Sequence, residues 1–137
     1  MINIRDIDHV VLRIRDLDRV AAFYVDVLGA RWEKKQDKIG LYQLRVGSSL
    51  VDLVPVDGEL GRQGGAAPGR EGRNVDHICF RVLPWDGETV LAHLAAHGIT
   101  GEIVSRYCAD GQGPSIYLSD PEGNALELKG PPWAPVA

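Results

Sequence analysis

Two histidines and two carboxylates recur at matching places in an internal duplication, and together they have the chemistry of a divalent-metal site. The segment IDHVVLRI (residues 7–14) returns as VDHICFRV (75–82) at an offset of 68, which puts His9 over His77 and Arg13 over Arg81. A second segment, LYQLRVGSSLVDLVP (41–55), matches IYLSDPEGNALELKG (116–130) at an offset of 75, with Asp52 over Glu127 and Tyr42 over Tyr117. Each half thus offers one imidazole on its first strand and one carboxylate on its last. Neutral imidazole and carboxylate suit first-row divalent ions, and Ni, Zn, Co, Mn and Fe all remain open. Two His with one or two acids leave coordination positions for water or substrate oxygens, as a catalytic metal requires. One divalent ion per site, held by His9, Asp52, His77 and Glu127, is the expected cofactor.

A single histidine on a strand is more often structural than a ligand. Here that reading has to explain two of them, each preceded by Asp and each on the face opposite an apolar stripe. Asp52 lies among Leu50, Val51 and Leu53, and Glu127 between Leu126 and Leu128. A carboxylate inside such a strand is costly unless it is paired or metal-bound. A ligand carboxylate that swings off the ion can also serve as general base, so Glu127 and Asp52 are the candidate catalytic groups. Arg13 and Arg81 share the histidines' face, where they either bind an anionic substrate group or form ion pairs. Tyr42 and Tyr117 are wall residues or substrate contacts. Cys79 reads as a small core residue, and His93 and His97, with no acid or cysteine companion, read as solvent-facing.

The elements that must position these groups follow from periodicity. Val10, Leu12 and Ile14 alternate with His9, Val11 and Arg13, the period of a strand with one apolar face. Asp16 is a good N-cap for a helix carrying Leu17, Val20, Ala21, Tyr24, Val27 and Leu28, closed by Gly29. Strands are expected near residues 31–36, 41–46 and 50–56, with a hairpin turn at 47–49. The second half repeats the order: a strand at 75–82, a helix capped by Asp86 and ending at Gly98, and strands near 101–107, 115–119 and 125–129. The glycine-bearing stretch 109–114 is expected to be a loop before the strand at 115, free to act as a lid. In the turn at 120–124, Pro121 presets φ and Gly123 supplies a positive φ. Each half is βαβββ, and a unit of that size cannot bury its sheet face alone.

The predicted class is therefore α+β: two tandem βαβββ modules forming a curved mixed sheet around a metal cavity, with helices on the convex face. Module 1 spans about residues 5–56 and module 2 about 75–130. The segment 57–74, with six glycines and no apolar period, is the linker. The tail 131–137 is proline-rich, with Trp133 as a packing anchor. At 137 residues the chain is one domain of ordinary size, 45% hydrophobic and 25% charged. Its net charge of −4 disfavours nucleic acid and anionic membrane as partners. No apolar run reaches spanning length, no signal sequence follows Met1, and Cys79 and Cys108 form no disulfide framework, so a cytoplasmic protein with reduced thiols is expected.

The pieces DHVVLRIRDLDRVAAFYVDVLG (8–29), DHICFRV (76–82) and SIYLSDPEGNALEL (115–128) resemble the vicinal oxygen chelate superfamily, which includes glyoxalase I, extradiol dioxygenases, fosfomycin-resistance thiol transferases and bleomycin-binding proteins. The resemblance covers both halves in the right order. It implies bidentate chelation of neighbouring substrate oxygens on a metal. Of the glyoxalase I ligands, His9, His77 and Glu127 carry over directly, while Asp52 stands where that enzyme typically has Glu. The leading activity it implies is a metal-dependent lyase or isomerase of lactoylglutathione lyase type. Such an enzyme takes a hemithioacetal, a thiol adduct, and moves a proton between adjacent carbons through a metal-stabilised enediolate. The alternatives are an Fe(II) extradiol-type dioxygenase, a thiol transferase giving antibiotic resistance, and a drug-binding protein without turnover. A homodimer acting on a small molecule is the expected assembly.

Overall fold

The computed structural model describes residues 1–134, so the last three residues of the tail, 135–137, lie outside the described residues. The chain divides into two compact units, Met1–Arg73 and Asn74–Ala137. In the first, β1 (His9–Ile14), α1 (Leu17–Ala22), β2 (Arg31–Gln36), β3 (Leu41–Val46) and β4 (Ser49–Pro55) build a four-stranded mixed sheet in the order β1-β4-β3-β2. In the second, β5 (His77–Arg81), α2 (Gly87–Ala96), β6 (Val104–Cys108), β7 (Gly111–Ser119) and β8 (Ala125–Lys129) give the order β5-β8-β7-β6. Both outer first strands pair in parallel with the last strand of their unit, and all other pairs are antiparallel. The fold is α+β, with the βαβββ order expected.

Alternation along the strands sorts the residues onto two faces. On one face of the first sheet Ile14, Leu44, Val51 and Leu53 are buried with Val20 and Ala21 of α1. In the second, Ile116, Leu126 and Leu128 are buried with Leu94 of α2. The other face of each sheet carries the polar groups, Asp52 in one and Glu127 and Lys129 in the other, all buried. Both helices start as their caps dictate: the Asp16 side chain accepts from the Arg19 amide and that of Asp86 from the Thr89 amide.

The first helix departs from the expected single run to Leu28. After Ala22 it widens into a π-helical turn, Phe23–Val27. There the consecutive rings of Phe23 and Tyr24 are both buried, in edge-to-face contact at 5.3 Å between centroids. Gly29, with φ of +74°, ends the element.

Two further expectations differ from the structure, the loop at 109–114 and the placement of Tyr42. Residues 111–114 are not a loop: Gly111 and Gly113 are the paired start of β7, opposite Cys108 and Arg106 of β6. Gly113 is needed there because a Cβ would fall 2.7 Å from the Pro131 carbonyl oxygen. No lid is available from that stretch. Within the glycine-rich segment after β4, a 3-10 turn forms at Gly61–Gly64. Arg13 clasps it, donating to the carbonyl oxygens of Gly61 at 2.9 Å and Ala66 at 3.0 Å, and also to that of Gly65. Gly61 and Gly64 permit this approach, since added Cβ atoms would collide with the Pro55 carbonyl and the Arg13 guanidinium. In the tail, Trp133 does anchor: its indole N–H donates to the Ser105 hydroxyl at 2.9 Å and its amide to Gln112 at 2.8 Å.

Candidate metal centre

Each first strand places its histidine at the start, and the preceding aspartate orients the ring. His9 Nδ1 lies 2.6 Å from Asp8 Oδ1, and His77 Nδ1 lies 2.7 Å from Asp76 Oδ1. A carboxylate on Nδ1 fixes the tautomer that leaves Nε2 for a ligand, the outer-shell arrangement common to metal-binding histidines. The same hydrogen bonds raise both imidazoles above the ordinary value of 6.5. For His9, Asp8 acts first, opposed by desolvation and aided by the charge of Asp52. For His77, Asp76 acts first, opposed by desolvation and aided by Glu127.

In the second unit the register sets Cys79 and Tyr117 on either side of Glu127. The Glu127 carboxylate is 3% exposed and divided between two tasks. Its Oε2 accepts from the Ser115 hydroxyl at 2.7 Å and the Cys108 thiol at 3.5 Å, while Oε1 lies 3.1 Å from His77 Nε2. Desolvation, the largest single influence, pushes its pKa up. Donation from Ser115, Tyr117, Cys108 and Cys79 outweighs it and leaves the group below the usual glutamate value. The Cys79 thiol is pushed up to about 12, first by desolvation and then by the Glu127 charge, so it stands as a neutral donor rather than a thiolate. The His77 ring also meets Tyr117 edge-on at 5.6 Å.

The first unit is built alike but looser. His9 and Asp52 share a face on the paired strands β1 and β4, His9 opposite Leu50 and Asp52 opposite Val11. Among the described residues His9 pairs with Asp8 and not with Asp52. The shorter Asp side chain, 2% exposed, is met instead by the Gln43 amide at 3.3 and 3.4 Å. Gln36 aims that amide, donating to Gln43 Oε1 at 2.9 Å. Desolvation comes first for Asp52 and raises its pKa; Gln43 and the charge of His9 only reduce the shift.

Gln43 shows why the Tyr42–Tyr117 match fails. The register partner of Asp52 is Gln43, nine residues earlier (52 minus 43); that of Glu127 is Tyr117, ten earlier (127 minus 117). One extra residue in the second hairpin slips the gap-free alignment by one, and at a period of two it reverses the face. Tyr42 is therefore opposite Leu53 and donates to Asp37 at 2.9 Å, away from the face of Asp52. Sequence reasoning missed Gln43 and Ser115. Counting pairs outward from Gly47, at φ +59° in a two-residue turn, would have found the first. The candidate anion binders are also engaged: Arg13 by the clasp described above, and Arg81 by Asp110 at 2.8 Å.

Among the described residues no three His, Cys, Asp or Glu side chains are gathered closely enough to hold a metal ion. Each unit by itself contributes one imidazole and one buried carboxylate on the same sheet face. That donor set fits a borderline divalent ion on chemistry: neutral nitrogen, anionic oxygen, and outer-shell partners on both types of ligand. A model of the glyoxalase/bleomycin resistance protein/dioxygenase superfamily matches residues 6–128. The chain belongs to that superfamily. Among solved structures, one of a virulence protein from Salmonella typhimurium is 26% identical, covering 95% of this chain and 99% of that one, with a TM-score of 0.75. Lactoylglutathione lyase from Agrobacterium tumefaciens is 23% identical over 91% and 92% of the two chains, with a TM-score of 0.64. A fosfomycin resistance protein from Listeria monocytogenes is 20% identical over 93% and 94%, with a TM-score of 0.66. The glyoxalase superfamily thus contains enzymes, and at these identities the last two likenesses establish the fold. No helix among the described residues is long and apolar enough to cross a membrane.

Proposed function

We propose that the chain is a metal-dependent lyase or isomerase of glyoxalase type, acting on a small substrate with two neighbouring oxygens, such as a hemithioacetal. The observation that carries the reading is the paired design: an Asp–His unit that turns Nε2 away from its aspartate, and a buried carboxylate on the same face, occur once in each module, and in the second Nε2 meets Glu127 at 3.1 Å. His9, His77 and Glu127 would hold the ion, with Asp52 as fourth ligand or as a proton carrier beside it. The bound ion supplies Lewis-acid stabilisation of negative charge developing on substrate oxygen, commonly the largest catalytic contribution. Ser115 keeps one oxygen of Glu127 occupied so that the other faces His77. Gln43 holds Asp52 in place through a weak contact that leaves it free to accept and return a proton between adjacent substrate carbons. Tyr117 forms part of the substrate wall. The modules would pair within one chain or across a homodimer to bring the four groups together.

A second reading, thiol transfer to a small epoxide such as fosfomycin, is favoured by one observation. Glu127 touches its histidine whereas Asp52 does not, which leaves a three-ligand set of His9, His77 and Glu127. Metal analysis of the purified chain, followed by turnover assays, separates the readings. We expect one bound divalent ion per site and chelator-sensitive turnover of hemithioacetals. Metal-dependent consumption of fosfomycin with added thiol, or oxygen uptake with catechols, would replace this activity by another of the superfamily. Protein free of metal affinity would refute both enzyme readings and leave sequestration of a small molecule.

Metal binding should also depend steeply on pH. Each raised imidazole stabilises the metal-free fold while protonated, fully below the ordinary 6.5, and that contribution is lost as pH rises through the higher folded value. The ion competes for the same nitrogens, so apparent affinity falls as pH drops toward and below 6.5, with a limiting slope of about two decades per pH unit. Zinc titrations between pH 8 and pH 6 should show this, and a flat profile would remove the histidines from the site.

A further inference from the structure

The second unit contains a cavity of about 460 Å³ whose walls include Gly101, Glu102, Val104, Arg106 and Tyr117. Strand register fixes its relation to the proposed ligands. Val104 and Arg106 of β6 stand opposite Ser115 and Gly113 of β7, so they share the face of Ser115, Tyr117 and Glu127. Tyr117 joins the two regions physically: it lines the cavity, stands opposite Glu127 in the strand register and packs edge-on against His77. A ligand with one end at Glu127 and His77 therefore has this cavity beside it.

The charge available in the cavity comes from Arg106. Arg13 is spent on the carbonyls of residues 61–66, Arg81 on Asp110, and the Lys129 ammonium is buried without a hydrogen-bond partner. Among the described residues no carboxylate forms an ion pair with Arg106. Its guanidinium lies over the Tyr117 ring at 5.6 Å and uses one N–H on the Ser105 carbonyl at 2.9 Å. A guanidinium has five N–H donors in a planar fork, which leaves a bidentate edge for a carboxylate or a phosphonate. The aromatic face presets the orientation of that fork, so less side-chain freedom is lost when an anion arrives.

We propose that this cavity receives a single anionic group, carboxylate or phosphonate, carried by the substrate beside its chelating oxygens, and that Arg106 is the residue selecting for it. The inference deepens the metal reading and rests on it for the position of the chelating end. It narrows the substrate to small organic anions and disfavours neutral catechols.

The test titrates the metal-loaded chain with two probes. Phosphonoacetohydroxamate carries a phosphonate beside the two adjacent oxygens of a hydroxamate; acetohydroxamate chelates through the same two oxygens and lacks the phosphonate. The Arg106→Gln variant should bind phosphonoacetohydroxamate at least about tenfold more weakly, as loss of one charge-assisted contact implies, and bind acetohydroxamate as the parent does. Arg106→Lys should recover part of the loss, because it restores charge without the fork. Unchanged phosphonoacetohydroxamate binding in Arg106→Gln, or equal weakening of both probes, would overturn the subsite. If the parent chain fails to bind acetohydroxamate while phosphonoacetohydroxamate binding still depends on Arg106, the metal reading falls and the anion subsite stands. If the parent binds neither probe, both fall.

Discussion

Replacing His77 by alanine is expected to abolish metal binding while leaving the fold in place. An outer-shell partner of a metal ligand is already worth about ten- to a hundredfold in affinity, so loss of the ligand nitrogen should weaken binding more than about a hundredfold. The fold survives because His77 is a partly exposed residue, with 35% of its side chain accessible, at the start of a strand whose backbone pairing with Ala125 is untouched. What disappears is the contact with Glu127 and the edge-on packing against Tyr117. Glu127 keeps its bonds from Ser115 and Cys108, so the metal-free variant should lose only about 1 kcal/mol. Equilibrium dialysis against zinc, run beside urea unfolding of the metal-free proteins, measures both. A variant that retains full metal content would show that His77 is no ligand.

Glu127→Gln should be worse on both counts, although the two side chains have nearly the same shape. The Ser115 hydroxyl at 2.7 Å and the Cys108 thiol at 3.5 Å donate to this carboxylate. An amide presents its own NH2 on one side, so a donor meets donors and at least one buried polar group goes unsatisfied. Such a loss costs about 1–3 kcal/mol. Metal binding should disappear together with the charge. The pH dependence has a definite sign. Because the folded pKa of Glu127 lies below the ordinary 4.5, its ionisation stabilises the fold fully above that value, and the benefit is lost as pH falls through the lowered one. The stability gap between parent and variant should therefore narrow below about pH 4.5 when followed by thermal unfolding of metal-free protein. A gap that stays constant into acid would mean the donors around Glu127 do not act on its charge.

Much of this was legible in the chain because alternation leaves a strong imprint on strands with one buried face. LVDLV reads as a strand with an acid on its polar face, and β4 has that form. Asp16 and Asp86 announce their helices, and Gly29 and Gly98 close them at positive φ. The DPEGN turn forms as its residues require, with Asp120 accepting from the amides of Glu122 and Asn124. Duplication did the rest by bringing out His9 with His77 and Asp52 with Glu127.

What stayed hidden depends on counting across a sheet rather than along it. The slip between Tyr42 and Tyr117 is a difference of one residue in hairpin length, invisible to a gap-free match. The start of β7 at Gly111 looks like a loop because glycines carry no pattern; the positive φ of +119° explains Gly111, and the close passage of Pro131 explains Gly113. Arg13 and Arg81 occupy the expected face, but the partners that engage them lie far away in the chain, at residues 61–66 and at Asp110. Arg106 lies within the strand expected near residues 101–107, where no motif marks it. Only its register with Gly113 brings it to the face of Glu127.

The central claim is that one cation joins a histidine and an acid from each module. Crystals grown with cobalt and measured at its absorption edge test this most directly. The account predicts one anomalous peak per site, within about 2.0–2.2 Å of His9 Nε2, His77 Nε2 and Glu127, with Asp52 adjacent. A peak touching residues of one module only, or no peak near either histidine, would contradict it.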